Sequence, residues 1–175
     1  EEYGPENLRD GDVVICNDPY RAGNHVNDVC FIRPVFYEGR IVSFVTLRAH
    51  QLDMGGVVPA GFSATKHNVY EDGVVINPML LYQDEKPVRS TFHLIFDNAR
   101  FGELLLPDIK TIYQNLLLGE RLIVESIERY GVDAYLGAVR YCTDVSAEAM
   151  AQSLAELPDG VYEGQSGIDC DAVDD

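Results

Sequence analysis

The chain has 175 residues, 46% of them apolar, which is enough to bury a sizeable core and corresponds to about one domain. Its 13 Lys and Arg against 29 Asp and Glu give a formal charge of -16, so it repels phosphate backbones and anionic lipid, and neither nucleic-acid nor membrane-surface binding is expected. No signal segment or long apolar run occurs, and Cys16, Cys30, Cys142 and Cys170 show no CxxC spacing, which points to reduced thiols in a cytoplasmic protein.

Residues 1–59 read as a strand-rich region. Asp12 to Cys16 and Val29 to Phe36 are short β-branched or apolar runs, and Glu38-Gly39 turns the chain into a third run, Arg40 to His50. Strand alternation along that run puts Val42, Phe44, Thr46, Arg48 and His50 on one face. Residues 60–90 turn repeatedly through Gly61, Gly73, Pro78 and Pro87 and read as a connecting or lid-like segment with brief strand-like pieces. His67, within it, is expected at the surface. Residues 91–158 read as helical. Leu105, Ile109, Ile112, Leu116, Ile123 and Ile127 recur at helical spacing up to a stop at Gly131, and Asp133 is placed to cap a second helix carrying Leu136, Val139, Met150 and Leu154 as core or interface. His93 is expected as a satisfied core or cap residue. Acidic residues crowd both ends (Glu1, Glu2, Glu6, Asp10 and Asp12; Asp169, Asp171, Asp174 and Asp175) and are expected as solvated tails or cut edges, with 159–175 an incomplete end.

The chemistry gathers between Cys16 and Gly56. His25-x-x-Asp28 and His50-x-x-Asp53 repeat one spacing, with Asp18 just upstream. Imidazole nitrogen with carboxylate oxygen suits Zn, Mn or Fe better than Mg or Ca. Each pair sits where a loop meets a strand, so two loop ends joined by a hairpin stand to meet in space. The competing reading is that these are ordinary polar loop residues. Arg48, on the face of His50, either pairs with a nearby aspartate or stabilises negative charge on a bound oxygen. Cys16 is expected as a buried strand cysteine rather than a nucleophile.

Asn17-Asp18-Pro19-Tyr20, Gly23-Asn24-His25 followed by Asp28, Pro34-Val35-Phe36, and Arg48-Ala49-His50 with Asp53-Met54-Gly55-Gly56 resemble the signature of the hydantoinase B/oxoprolinase family. The likeness continues through Glu71-Asp72-Gly73, Asn98-Ala99-Arg100, Gly119-Glu120-Arg121, Glu128-Arg129-Tyr130-Gly131 and Leu157-Pro158-Asp159-Gly160. That family holds the B-type subunits of ATP-dependent N-methylhydantoinases, 5-oxoprolinases, and acetone and acetophenone carboxylases. Its members are several times longer, so the chain is expected to be part of one B-type domain. The resemblance implies His25, Asp28 and His50 as ligands to a divalent ion, Zn or Mn first and Fe next. It leaves Asp18, with Asp53 next, as a fourth ligand or an orienting group, either of them also placed to move a proton, and Arg48 as a catalytic cation. The chain departs from the family at Ile112 and Leu116, which align with positions where many members carry glutamine and asparagine.

No phosphate-binding GxxxxGK[ST] loop is present, and the resemblance implies that ATP is bound by a separate A-type subunit in a hetero-oligomer, or by a domain missing from this chain. The expected architecture is α+β, a strand-rich metal-site region followed by a helical region. Three functions compete: the metal-dependent subunit of a cyclic amide hydrolase opening a hydantoin, 5-oxoproline or lactam; a ketone carboxylase subunit with the same site; and a non-catalytic assembly domain.

Overall fold

The computed structural model describes residues 4–59, 61, 63 and 65–167. Glu1, Glu2, Cys170 and the terminal aspartates from Asp169 onward, for which the sequence suggests solvated tails and a reduced thiol, lie outside the described residues. The chain folds as two compact units, Glu1–Val124 and Glu125–Asp175. The first unit is an antiparallel sheet with helices, and the fold is α+β.

Five strands make one sheet: β1 (Val13–Cys16), β2 (Asp28–Tyr37), β3 (Arg40–His50), β4 (Met79–Gln83) and β5 (Lys86–Pro87), in the order β3-β2-β1-β4-β5. The short run Val13-Val14-Ile15-Cys16 is apolar at every position because β1 is the central strand and is buried throughout. Strands β2 and β3 form a long hairpin closed by Glu38 (φ 48) and Gly39 (φ 74), two successive positive φ values that match the right-handed twist of the strands. The hairpin ladder runs from Tyr37 opposite Arg40 to Asp28 opposite His50, with one irregularity beside Val35.

Helix α1 (Arg89–Phe96) follows β5, then α2 (Gly102–Tyr130) and α3 (Val132–Ala155). Val13, Ile15, Val29, Phe31 and Leu81 of the sheet form one core with Ile95 of α1 and Ile109 and Leu116 of α2. Val45, Leu47 and Ala49 pack onto it from β3, while Phe44, Thr46, Arg48 and His50 of the same strand are exposed, as strand alternation requires. Positions 112 and 116 both serve this core: Leu116 is fully buried and Ile112 packs against it.

A charged group sits inside this apolar packing. Arg33 of β2 is buried, and its guanidinium donates to Glu120 of α2 at 2.8 Å and to Glu85 of the β4–β5 turn at 3.3 Å. One arginine thereby ties helix and turn to the sheet.

Three expectations need revision. His93 is exposed rather than core, with Nδ1 3.3 Å from Asp97 Oδ2 one turn on, near the C-terminal end of α1 where a cation suits the helix dipole. Helix α3 is capped at Gly131 rather than at Asp133, which lies in the first turn and complements the helix dipole there. None of α3's residues is buried, and Val139, Met150 and Leu154 are exposed.

Candidate metal centre

His25, Asp28 and His50 converge because the sheet register requires two of them to meet. Asp28 is the first residue of β2, His50 the last of β3, and the two are cross-strand partners. Both project to the face opposite the helices, so their side chains fall side by side. His25 reaches the same place from the preceding turn, in which the Asp28 N–H donates to the His25 carbonyl at 3.0 Å. One donor atom from each residue falls within 4.8 Å of the other two, and among the described residues this is the group so gathered. The imidazole rings meet edge to face with centroids 5.0 Å apart.

The spacing suits a cation. Asp28 Oδ1 lies 3.3 Å from His50 Nδ1 and 3.5 Å from His25 Nε2, and two atoms each about 2.05 Å from a tetrahedral centre stand about 3.3 Å apart. The cluster is partly open, with His25 and Asp28 about one-fifth exposed and His50 nearly half exposed, so a fourth position faces solvent. Two imidazoles and one carboxylate, with room for an exogenous ligand, form a donor set found in catalytic zinc sites.

The remaining sequence candidates lie around this cluster. Arg48 is exposed on the same face of β3, opposite Cys30 in the ladder. Burial pushes the Cys30 thiol above its ordinary value while Arg48 pulls it down, and Cys30 donates to the Ala22 carbonyl at 3.2 Å. Cys16 is buried in β1 beside it, and neither is in a disulfide. Asp18 is outside the three-residue group: its carboxylate accepts from the Tyr20 N–H and from Arg21 Nε, both at 3.0 Å, holding the turn that leads to His25.

Asp53 is also outside the group, and its two oxygens are engaged elsewhere. Oδ1 accepts from Arg100 Nη2 at 2.7 Å and from the Gly55 N–H at 3.0 Å. Oδ2 accepts from Arg100 Nε at 2.9 Å and from the Arg100 N–H at 2.6 Å. The paired guanidinium, with the backbone donors, holds the fully buried Asp53 carboxyl down at about 2. These bonds tie Asp53 to Arg100 and to the turn at Gly55. Arg100 Nη2 also donates to the Gly56 carbonyl at 2.8 Å, pinning the turn after His50 to the start of the helical region.

Two residues at this site carried no separate signal in the sequence. Arg100 lies within Asn98-Ala99-Arg100, a segment that resembles the family but shows nothing of its pairing with Asp53. Asn27, between His25 and Asp28, is buried and bonded on several sides. An asparagine in a loop reads as a turn former, and only the ladder geometry shows what it bonds.

A segment folds back near the cluster. Gly55 pairs with Gly73, the Val57 N–H donates to the Glu71 carbonyl at 2.9 Å, and the Val74 N–H to the Met54 carbonyl at 2.8 Å. Within it the largely buried Lys66 donates to the Gly61 carbonyl at 2.6 Å and to Asp72 at 3.0 Å. His67 is exposed.

Comparison with known proteins places the chain in a family. The family model described as hydantoinase B/oxoprolinase matches residues 1–174. The β subunit of caprolactamase from Pseudomonas jessenii is 33% identical over 162 residues, 93% of this chain and 28% of that subunit. The 5-oxoprolinase 1 of Arabidopsis thaliana is 30% identical over 168 residues, 86% of this chain and 13% of its own length. The chain thus spans little more than a quarter of the caprolactamase subunit and less of the oxoprolinase. The crystal structure of the ATP-dependent caprolactamase from Pseudomonas jessenii superposes with a TM-score of 0.88 at 31% identity, covering 93% of this chain and 28% of that one. A nucleotide-free acetone carboxylase shares the fold, with a TM-score of 0.68 at 23% identity over 74% of this chain and 17% of that one. The chain belongs to the hydantoinase B/oxoprolinase family.

Proposed function

We propose that this chain carries the metal centre of an ATP-dependent enzyme that opens a cyclic amide, with His25, Asp28 and His50 as the protein ligands. The observation that carries the reading is the convergence of those three donors at separations suited to one cation. The substrate class rests on the relatives named caprolactamase and 5-oxoprolinase. A bound Zn or Mn ion supplies a Lewis acid for a carbonyl oxygen and lowers the pKa of a bound water.

The protein groups divide the remaining work. Asp28 faces both imidazoles from one oxygen and keeps the donor set together. Arg48, exposed on the same strand face as His50, meets the negative charge that develops on the substrate oxygen. Asp18, in the turn leading to His25, is the carboxylate assigned to moving a proton, and Asp53 braces the turn that follows His50. ATP is handled by an A-type partner or by a domain outside this sequence, a reading supported by relatives that are subunits of an ATP-dependent caprolactamase and of acetophenone carboxylase.

Elemental analysis of the purified protein beside His25→Ala and His50→Ala tests the centre, with circular dichroism confirming that each variant is folded. Near-stoichiometric metal in the native protein, lost in both folded variants, is expected. Absence of metal after supplementation refutes the reading and leaves an assembly role. Product analysis with the A-type partner then tests the reaction: ring opening supports the amide hydrolase, whereas bicarbonate-dependent carboxylation of a ketone replaces it with the carboxylase assignment.

A further inference from the structure

The hairpin ladder that brings Asp28 opposite His50 should continue by one more pair, Asn27 with Gln51. Half of that pair forms: the Gln51 N–H donates to the Asn27 carbonyl at 2.7 Å. The other half does not form between backbones. The Asn27 N–H turns away toward His25 and stands 3.3 Å from Nδ1, a contact that gives way whenever Nε2 holds a cation and Nδ1 carries the ring proton, and the Asn27 side-chain amide Nδ2 takes its place in the ladder, donating to the Gln51 carbonyl at 2.8 Å.

The side chain stands in for a peptide group. Its amide keeps β2 and β3 tied just beyond Asp28 and His50 while the main chain bends back. That bend carries His25 to the other two donors. Asn27 is 1% exposed, so no water competes for these bonds from bulk solvent. With Nδ2 on Gln51, the amide's Oδ1 faces Gly61. A Cβ at Gly61 would stand 2.4 Å from Oδ1, and Gly61 holds a φ of +81. Oδ1 has no hydrogen-bond partner among the described residues. The amide is therefore held in one orientation by a donor bond on one side and close backbone on the other.

We infer that Asn27 is the positioning residue of the metal centre, setting His25 against Asp28 and His50 by replacing a ladder hydrogen bond with its side-chain amide. This rests on the metal reading above. It concerns a residue that acts through the turn carrying His25, by the tie of its side chain to Gln51. Partners that orient metal ligands typically change metal affinity about 10- to 100-fold when removed.

Thr91 provides the control. It is equally buried and its side chain also makes one bond to backbone, donating to the Leu80 carbonyl of β4 at 2.6 Å, and it bonds neither to the cluster nor to the turn that carries His25. Co2+ is titrated into the whole protein, and into Asn27→Ala, Asn27→Leu and Thr91→Ala, with visible absorption reporting both affinity and ligand geometry. Asn27→Leu keeps the branched shape of the side chain and removes the donor without adding a charge, so it also serves if Asn27→Ala does not fold. The expected result is Co2+ binding weakened about 10-fold or more in the folded Asn27 variants with altered absorption bands, while Thr91→Ala loses stability but keeps the native spectrum and affinity. Native affinity and spectrum in a folded Asn27 variant overturn the inference, as does an equal loss in Thr91→Ala. If the unaltered protein takes up no Co2+, the metal reading itself fails and this inference with it; binding by the unaltered protein separates the two.

Discussion

At the scale of single residues, the environment of each carboxylate decides its work. Asp28, Asp18 and Asp53 are chemically identical and lie within one stretch, yet one faces two imidazoles, one holds a turn and one is locked to a guanidinium. The Asp53 carboxyl, held at about 2 against an ordinary 3.8 chiefly by its hydrogen bonds from Arg100, carries a pH signature. A folded-state pKa below the unfolded one gives stability that is complete above about pH 4 and is lost as pH falls toward 2. Urea denaturation of the native protein between those values is expected to show a decline that is smaller in Asp53→Asn. Equal slopes in the two proteins would remove Asp53 from the acid response. Arg100→Lys is expected to lose most of the effect, because an ammonium cannot present the planar fork that grips both oxygens.

At the scale of elements, the sheet-to-helix packing sets close limits. Gly119 of α2 lies against β3: a Cβ there would meet Val45 Cγ1 at 2.7 Å. Gly119→Ala removes a glycine from a helix interior, a gain of about 1 kcal/mol in isolation, but overpacking of this kind costs about 1–3 kcal/mol. A net loss is expected, relieved by Val45→Ala in the double variant. Gly137 of α3 has open space where its Cβ would be, so Gly137→Ala should show the gain without the cost. Leu116→Ala, at a fully buried core position, is expected to lose about 3 kcal/mol in chemical denaturation. A loss below about 1 kcal/mol would mean that α2 does not pack on the sheet as described.

At the scale of the whole molecule, the formal charge of -16 and the proposed metal centre make separate demands. Self-repulsion within an acidic chain weakens as salt shortens the Debye length, so the melting temperature is expected to rise between low and physiological ionic strength. Cation binding stabilises by mass action. Free Zn2+ or Mn2+ at about 100 times its Kd adds about 2.7 kcal/mol, an increment expected in the native protein and absent in His50→Ala. Salt and metal effects are separated by repeating the melt in His50→Ala, which retains the first and loses the second. No helix among the described residues is long and apolar enough to cross a membrane.

The primary sequence determined what depends on short range. Alternation along Arg40 to His50 set which residues face the core, the Glu38-Gly39 turn set the hairpin, and helical spacing through Leu105, Ile109 and Leu116 set the buried face of α2. Residue type and loop position marked a wider set, His25, Asp28, His50 and Asp53 with Asp18, and the motif resemblance narrowed it to His25, Asp28 and His50, which the fold brings together. What the tertiary structure decided is partnership across distance. Arg33 with Glu120, Asp53 with Arg100 and Asn27 with Gln51 join residues 87, 47 and 24 positions apart. Sequence spacing predicts neighbours only within an element, where the helical and strand periods fix direction. The bonds that lock Asp53 to Arg100, and the side-chain amide that completes a ladder at Asn27, exist only once the sheet register and the helix packing have brought their partners within reach.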